Sequence, residues 1–418
     1  MHHRLMFIVA FSCLTSAVRA QETQDARSLA ARAMEYAKTK DFAQAVRLMA
    51  KAVELDPRNA ELLGNLSELE FKAFKFADGQ KHAEQAIALK PDVGKYYYLA
   101  GFNAYANQDL DKAREYSKIL RAPDRKFDAA AVTQGDLLDD LLIDKTFTLF
   151  YKLDPKKGRV FNGALTVSLP RTGLPYQKTT YEISGVKSKR LVKGVADDVL
   201  HIVPAGREPM PLTIKVTLKP YSYKAELAKA SRKPLPAEAR SHLGAIVAIN
   251  PKSPVLRKAV TGLKGADPLT TVRNIQLWMQ KNIDYKLDKA SFLEVDFKSV
   301  DEIVKRGFAE CRGYAMLFAG LCRAADIPAR PVWGLVRVPP GLDRKHGDIV
   351  SHNWAEVYIS GIGWIPVDPQ RPETLGMLPN YYLRMFTGVQ RTATSMENLP
   401  LFNLLMMHDA QVMFKETR

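Results

Sequence analysis

The stretch SVDEIVKRGFAECRGYAMLFAGLCRAADIPARPVWG, residues 299–334, and the later HNWAEVYISGIGWIPVDP, residues 352–369, decide how this chain is read. Ser299 is a plausible N-cap and Gly307 a stop, so a short helix precedes Cys311. Apolar residues at helical spacing from Ala315 to Ala325 make Cys311 the start of a second helix. His352 opens a strand and Asp368 ends the next one, with a turn at Ser360-Gly361-Ile362-Gly363 between them. Counted from that turn, the imidazole and the carboxylate fall at the same end of a hairpin, offset diagonally and within reach of each other. A thiol, an imidazole and a carboxylate in this order are the inventory for nucleophilic catalysis by cysteine. Unpaired amides and the dipole at a helix start favour the thiolate, and the same amides can donate to an oxyanion.

Working outward, the second cysteine of this stretch cannot be a disulfide partner. Cys322 is eleven residues further along the same helix, roughly 16 Å away at the helical rise, whereas a disulfide needs Cα atoms within about 7 Å. Cys322 reads as inert core and Cys311 as the reactive thiol. His346, in the loop PPGLDRKHGDIV at 339–350, is a competing base with no strand to fix it. No paired Cys or His has zinc spacing, so neither a metal nor any other cofactor is expected.

Upstream, DPLTTVRNIQLWMQKNIDYKL at 267–287 is an amphipathic helix started by Asp267-Pro268, with Trp278 and Tyr285 read as core packing. A polar linker, KASRKPLPAEARSHL at 229–243, separates it from short alternating runs such as TFTLFYKLD at 146–154 and PLTIKVTLKPYSY at 211–223. Their period of two predicts an antiparallel β-sandwich over 145–225, in which His201 is structural and KSKRLVK at 187–193 is a solvated face.

Residues 26–125 repeat with a period of 34: Ala45, Gly79 and Ala113 are in step, as are Ala52, Ala86 and Leu120. Pro57 and Pro91 stop the second helix of the first two units, and Tyr36 is placed as an aromatic between helices. KDFAQAVRLMAKAVELDPRNAE at 40–61 resembles the tetratricopeptide repeat; KILRAPD, closing the third unit at 118–124, resembles it more loosely. Such arrays bind a peptide or dock a neighbour, so the expectation there is either a protein partner or, equally, a spacer or intramolecular clamp on the domains that follow.

The chain of 418 residues carries a formal charge of +16, or +14 without Arg4 and Arg19 of residues 1–20. Residues 1–20 read as a signal peptide: a short basic start, an apolar run from Leu5 to Leu14, and Val18-Arg19-Ala20 before the cleavage point. That predicts a periplasmic or secreted protein, not a transmembrane one, whose basic surface suits an anionic envelope. No basic stripe with interleaved aromatics favours nucleic acid.

Residues 265–370 are similar to the transglutaminase-like superfamily core: a Cys at a helix start, IPAR, His-x-Trp-x-Glu on a strand, then Gly-Trp-x-x-x-Asp. The resemblance implies a papain-like α+β domain over 235–385 with Cys311, His352 and Asp368 as catalytic triad, and Trp354 and Trp364 as walls binding substrate. It implies acyl transfer on a protein or peptide substrate, hydrolytic in a protease or amidase, with glutamine crosslinking or a non-catalytic scaffold as alternatives. The fold class expected is thus multidomain: all-α helical repeats, a β-sandwich, the α+β domain, and a tail over 386–418 packing on that domain. Glu310 and Arg312, which flank the cysteine, are expected to matter little.

Overall fold

The computed structural model describes residues 23–156, 165–194, 197–227, 229–230, 234–286, 299–338, 349–387 and 410–415. The expected signal segment, residues 1–20, and His346 lie outside the described residues. The chain divides into two compact units after Asp140.

The first unit is a stack of seven helices among the described residues. They are α1 (23–38), α2 (Phe42–Leu55), α3 (Ala60–Lys72), α4 (Phe76–Leu89), α5 (Gly94–Ala106), α6 (Leu110–Leu120) and α7 (Ala129–Asp140). Its period is written in the backbone as well as in the side chains. Lys40, Phe74 and Gln108, spaced 34 apart, all have left-handed φ angles near 60° and turn the chain into the second helix of each pair. Ala45, Ala52, Ala86 and Ala113 are fully buried, as small residues between close helices should be. At Gly64 an added Cβ would stand 2.7 Å from the Tyr96 ring, so only glycine lets these helices meet. Tyr36 does not pack between helices; it is 37% exposed. The stack also runs past residue 125. Helix α7 buries Leu138 against Gly101, where an added Cβ would lie 2.6 Å from the leucine.

The second unit opens with six strands: β1 (Lys145–Leu153), β2 (Leu165–Leu169), β3 (Gln177–Ile183), β4 (Val186–Lys193), β5 (Asp198–Pro204) and β6 (Met210–Leu218). They form two antiparallel sheets; one has the order β2-β5-β4, and in the other β1-β6-β3 run side by side. Alternate residues Phe147, Leu149 and Tyr151 of β1 and Leu212, Ile214 and Val216 of β6 are buried, the period-two pattern that the sequence showed. Strand β4 is mostly exposed, and the His201 ring meets the Thr166 hydroxyl of β2 at 3.4 Å. Further along come helices α8 (Lys224–Leu227), α9 (Ala237–Ser241), α10 (Pro254–Ala259) and α11 (Pro268–Asn282), then the short strand β7 (Asp284–Tyr285). Helix α9 and the buried His242 show the expected linker to be partly folded.

Asp267 caps α11 by accepting from the Thr270 amide, and Pro268 opens it. Ser299 likewise caps α12 (Val300–Arg306), which Gly307 ends with φ 75°. Strand β8 (Phe308–Ala309) pairs in parallel with β7 and leads directly into α13 (Cys311–Ala324). Helix α13 buries Leu317, Phe318, Leu321 and Cys322 in one core with Trp354, Ala355 and Val357 of the following sheet. That sheet has the order β11-β10-β9-β12, from β9 (Ala329–Arg337), β10 (Ile349–Ile359), β11 (Gly363–Val367) and β12 (Tyr382–Thr387). The sequence of helices then antiparallel sheet matches the α+β expectation.

A shared core ties sandwich and sheet together, and a late strand extends the sandwich. Leu335, Leu383 and Met385 of β9 and β12 belong to the same buried cluster as the sandwich core. In addition β13 (Ala410–Lys415) pairs antiparallel with β1, Phe147 facing Phe414. This part of the expected 386–418 tail therefore extends the sandwich instead of packing on the α+β domain. Its backbone covers an edge of β1 that would otherwise present unpaired amides and carbonyls. Residues 388–409 lie outside the described residues.

Candidate active site

Cys311 is the first residue of α13 and is partly exposed; no disulfide joins it to the fully buried Cys322. Burial pushes the Cys322 thiol far above its ordinary range, although Arg323 pulls the other way. Only the first of these thiols is placed for chemistry.

The helix start differs from expectation. Glu310 is the N-cap, and its carboxylate accepts from the Arg312 amide at 2.6 Å and the Gly313 amide at 2.9 Å. Two of the helix-start amides, those of Arg312 and Gly313, are therefore occupied, and the carboxylate offsets the positive end of the dipole. The same carboxylate accepts from the Cys311 thiol at 3.5 Å. Glu310 thus matters to the site, contrary to the sequence reading.

His352 lies on β10 opposite Gly334. Its Nε2 is 2.8 Å from Oδ2 of Asp368, and the Cys311 sulfur is its other hydrogen-bonding neighbour. Burial alone would favour the neutral ring, but the Asp368 charge, its hydrogen bond and the sulfur outweigh this and push the imidazole up to about 10. Asp368 is 1% exposed. Its carboxylate accepts from the Tyr382 hydroxyl at 2.7 Å and the Gln370 amide at 3.0 Å. Burial would raise this carboxyl, yet His352 and these donors hold it below the usual range. The Thr374 hydroxyl accepts from the Asp368 amide at 2.8 Å and donates to the Asp368 carbonyl at 3.0 Å, fixing the backbone. The three residues expected as a triad thus come together, with Nδ1 left as the ring nitrogen turned away from Asp368.

The two tryptophans do not wall the site. Trp354 is fully buried beneath the imidazole, its ring 6.2 Å from His352 and 5.4 Å from Tyr382. Trp364 packs instead against His242, Tyr358 and Arg330. It precedes Asp368 by four strand positions, about 13 Å at the strand rise. Tyr285, by contrast, is no core residue. It is 43% exposed beside Tyr314 and lies close enough to feel the charges of Cys311 and Glu310. Trp278 is partly buried against the core, as expected.

Sequence reasoning missed Asn353 and Tyr382. The Asn353 side-chain amide donates to the Cys311 sulfur at 3.7 Å; its position next to His352 was the available signal. Tyr382 follows Asp368 by fourteen residues, and only the β9–β12 pairing brings it back. Behind the site, the fully buried Arg384 and Arg330 clamp Glu356 at 2.7 and 2.8 Å. Burial would raise Glu356, but these guanidiniums bring it to about 2. Arg384 also reaches Asp197 at 3.2 Å, fastening the sheet to the sandwich. Among the described residues no cluster of His, Cys, Asp and Glu could hold a metal, and no helix is long and apolar enough to cross a membrane.

Residues 257–369 match the model of the transglutaminase-like superfamily. The chain is 30% identical over 109 residues to RNA polymerase II-associated protein 3 of Xenopus laevis, and equally to that of Mus musculus. That match covers 26% of this chain and 16% of the relative, so the chain spans about a sixth of the length of the curated relatives it matches. Among solved structures, a candidate cysteine protease from Cytophaga hutchinsonii is similar at 16% identity and a TM-score of 0.39, covering 66% of this chain and 89% of that one. The first TPR of Spaghetti (RPAP3), bound to an HSP90 peptide, is similar at 23% identity and a TM-score of 0.25, covering 28% and 92%. With a helix-start cysteine, a histidine–aspartate hairpin and the matched residues 257–369, this chain carries a transglutaminase-like domain, preceded in sequence by tetratricopeptide-like repeats.

Proposed function

We propose that this protein is an exported cysteine enzyme that cleaves amide bonds in a protein or peptide through a thioester on Cys311. The observation that carries the reading is the imidazole of His352 set between the Asp368 carboxylate and the Cys311 sulfur. In the proposed reaction the Cys311 thiol proton passes to His352, the sulfur attacks the carbonyl carbon and a C–S bond forms as the carbonyl π pair moves onto oxygen. The tetrahedral intermediate collapses, the C–N bond breaks, and the amine leaves with the His352 proton. Water then gives a proton to His352 and attacks the thioester, releasing a carboxylic acid and the thiol. Asp368 holds the ring orientation throughout. The partial exposure of Cys311 supports resolution by water, and the repeats are proposed to hold a protein partner.

The test has two stages. Cys311 is expected to react with iodoacetamide near neutral pH faster than Cys322, and His352→Ala to slow it; equal, slow labelling of both would remove the enzyme reading. Envelope peptides incubated with a labelled amine then separate the outcomes. Cleavage that disappears in Cys311→Ala supports a hydrolase, whereas incorporated amine supports a crosslinking transferase.

A further inference from the structure

The thiol has an unusual pair of neighbours. On one side, the Glu310 carboxylate accepts from the sulfur's own proton and occupies two helix-start amides. Those amides cannot stabilise an oxyanion while the cap stays closed. Opening it would strand a helix start and leave Glu310 beside the reaction. A cysteine acyl transfer still needs donors where the carbonyl oxygen gains charge.

On the other side stands Asn353, half-buried on β10 and opposite Trp333 in the ladder with β9. Its Nδ2 donates to the Cys311 sulfur at 3.7 Å. That nitrogen carries two hydrogens, so one can remain on sulfur while the other meets a second acceptor. When sulfur bonds to a carbonyl carbon, the carbonyl oxygen sits two bonds from the sulfur, and a donor already on sulfur is near the distance of about 3 Å that an oxyanion requires. Its neighbour His352 is committed to Asp368 and to the leaving group, so it does not supply this donor.

We propose that Asn353 is a catalytic residue, donating to the oxyanion that forms when Cys311 attacks a carbonyl. This deepens the amide-cleaving reading and rests on it. In the step concerned, the Sγ–C bond forms and the carbonyl π pair moves onto oxygen, where the Asn353 amide meets it. The pair returns as the leaving group departs with its bonding electrons.

Two probes on the full-length chain separate this role from a general effect on the thiol. p-Nitrophenyl acetate acylates sulfur through a tetrahedral oxyanion and releases p-nitrophenolate. Iodoacetamide alkylates it at a saturated carbon, with no oxyanion. Asn353→Ala is expected to slow Cys311 acylation on the order of 10²–10³-fold while alkylation falls much less. Asn353→Leu, which keeps the size, loses the donor and adds no charge, is expected to show the same selective loss. If both reactions slow by one common factor, or neither slows, the proposal is overturned. A wild-type chain that shows no Cys311-dependent acylation overturns the enzyme reading and this proposal together; acylation that ignores Asn353 overturns only the latter.

Discussion

His352 and Asp368 are hydrogen-bonded at 2.8 Å although they are not cross-strand partners. The β10–β11 ladder ends with Ala355 facing Val367, so Asp368 continues the register toward Trp354, and His352 is reached along the diagonal. The pair is therefore held from outside the ladder, by Tyr382 and Gln370 on the carboxylate and by the Trp354 ring under the imidazole.

That geometry makes Asp368 a pH determinant. Asp368→Asn removes the charge that overcomes burial at His352, so the imidazole falls from about 10 and the alkaline limit of Cys311 acylation moves to lower pH. Acylation is expected to slow on the order of 10²–10⁴-fold. Stability follows the same pair with defined signs. The raised His352 contributes fully below about pH 6.5 and loses its contribution as pH rises through about 10. The depressed Asp368 contributes above about pH 4 and loses its contribution as pH falls through its folded value. The stability gap between wild type and Asp368→Asn should be widest from about pH 4 to 6.5. A gap that does not vary with pH, in unfolding curves taken across this range, would refute the assignment.

The Glu356 clamp gives a prediction about stability alone. Glu356→Ala leaves the guanidiniums of Arg330 and Arg384 buried beside each other, and removal of one partner from a buried ionic cluster costs about 3–5 kcal/mol. The readout is convenient, because Trp278, Trp333, Trp354 and Trp364 are the only four tryptophans and all lie after Asp140. Urea unfolding followed by tryptophan fluorescence thus reports the second unit by itself. A loss under about 1 kcal/mol would place these groups with solvent-screened surface pairs.

Much of this was legible before any coordinates, and the limits have physical causes. The Cys311 helix could be read because one face of α13 is apolar at helical spacing, and the His352–Asp368 diagonal because a short turn fixes hairpin register. The 34-residue period was visible in small residues, and it reappears in the left-handed Lys40, Phe74 and Gln108. What failed was non-local or local in the wrong sense. Nothing near residue 382 announces that its hydroxyl serves Asp368, and the pairing of β13 with β1 spans most of the second unit. Trp354 faces the right residue yet lies beneath it, since strand alternation gives the side of a residue but not its depth. Glu310 was discounted as a flanking residue because glutamate is not among the usual N-cap residues, yet its carboxylate takes that role here.

The last prediction concerns the glycine opposite His352. A Cβ added at Gly334 would collide with the Leu383 carbonyl oxygen and the Trp354 ring, whose Cζ3 would be 2.7 Å away. The carbonyl belongs to β12 just before its register shift at Arg384, so the backbone there has little freedom to withdraw. The ring is wedged between His352 and Tyr382, both parts of the site. Gly334→Ala should therefore cost about 1–3 kcal/mol through overpacking and also slow Cys311 acylation, because the displaced indole presses on the imidazole. Gly206→Ala is the matched control: a Cβ there meets nothing within 4 Å. Tryptophan-monitored unfolding and p-nitrophenyl acetate acylation of both variants decide the matter. If Gly334→Ala keeps wild-type stability and rate, the close approach of Gly334 to Trp354 does not position His352.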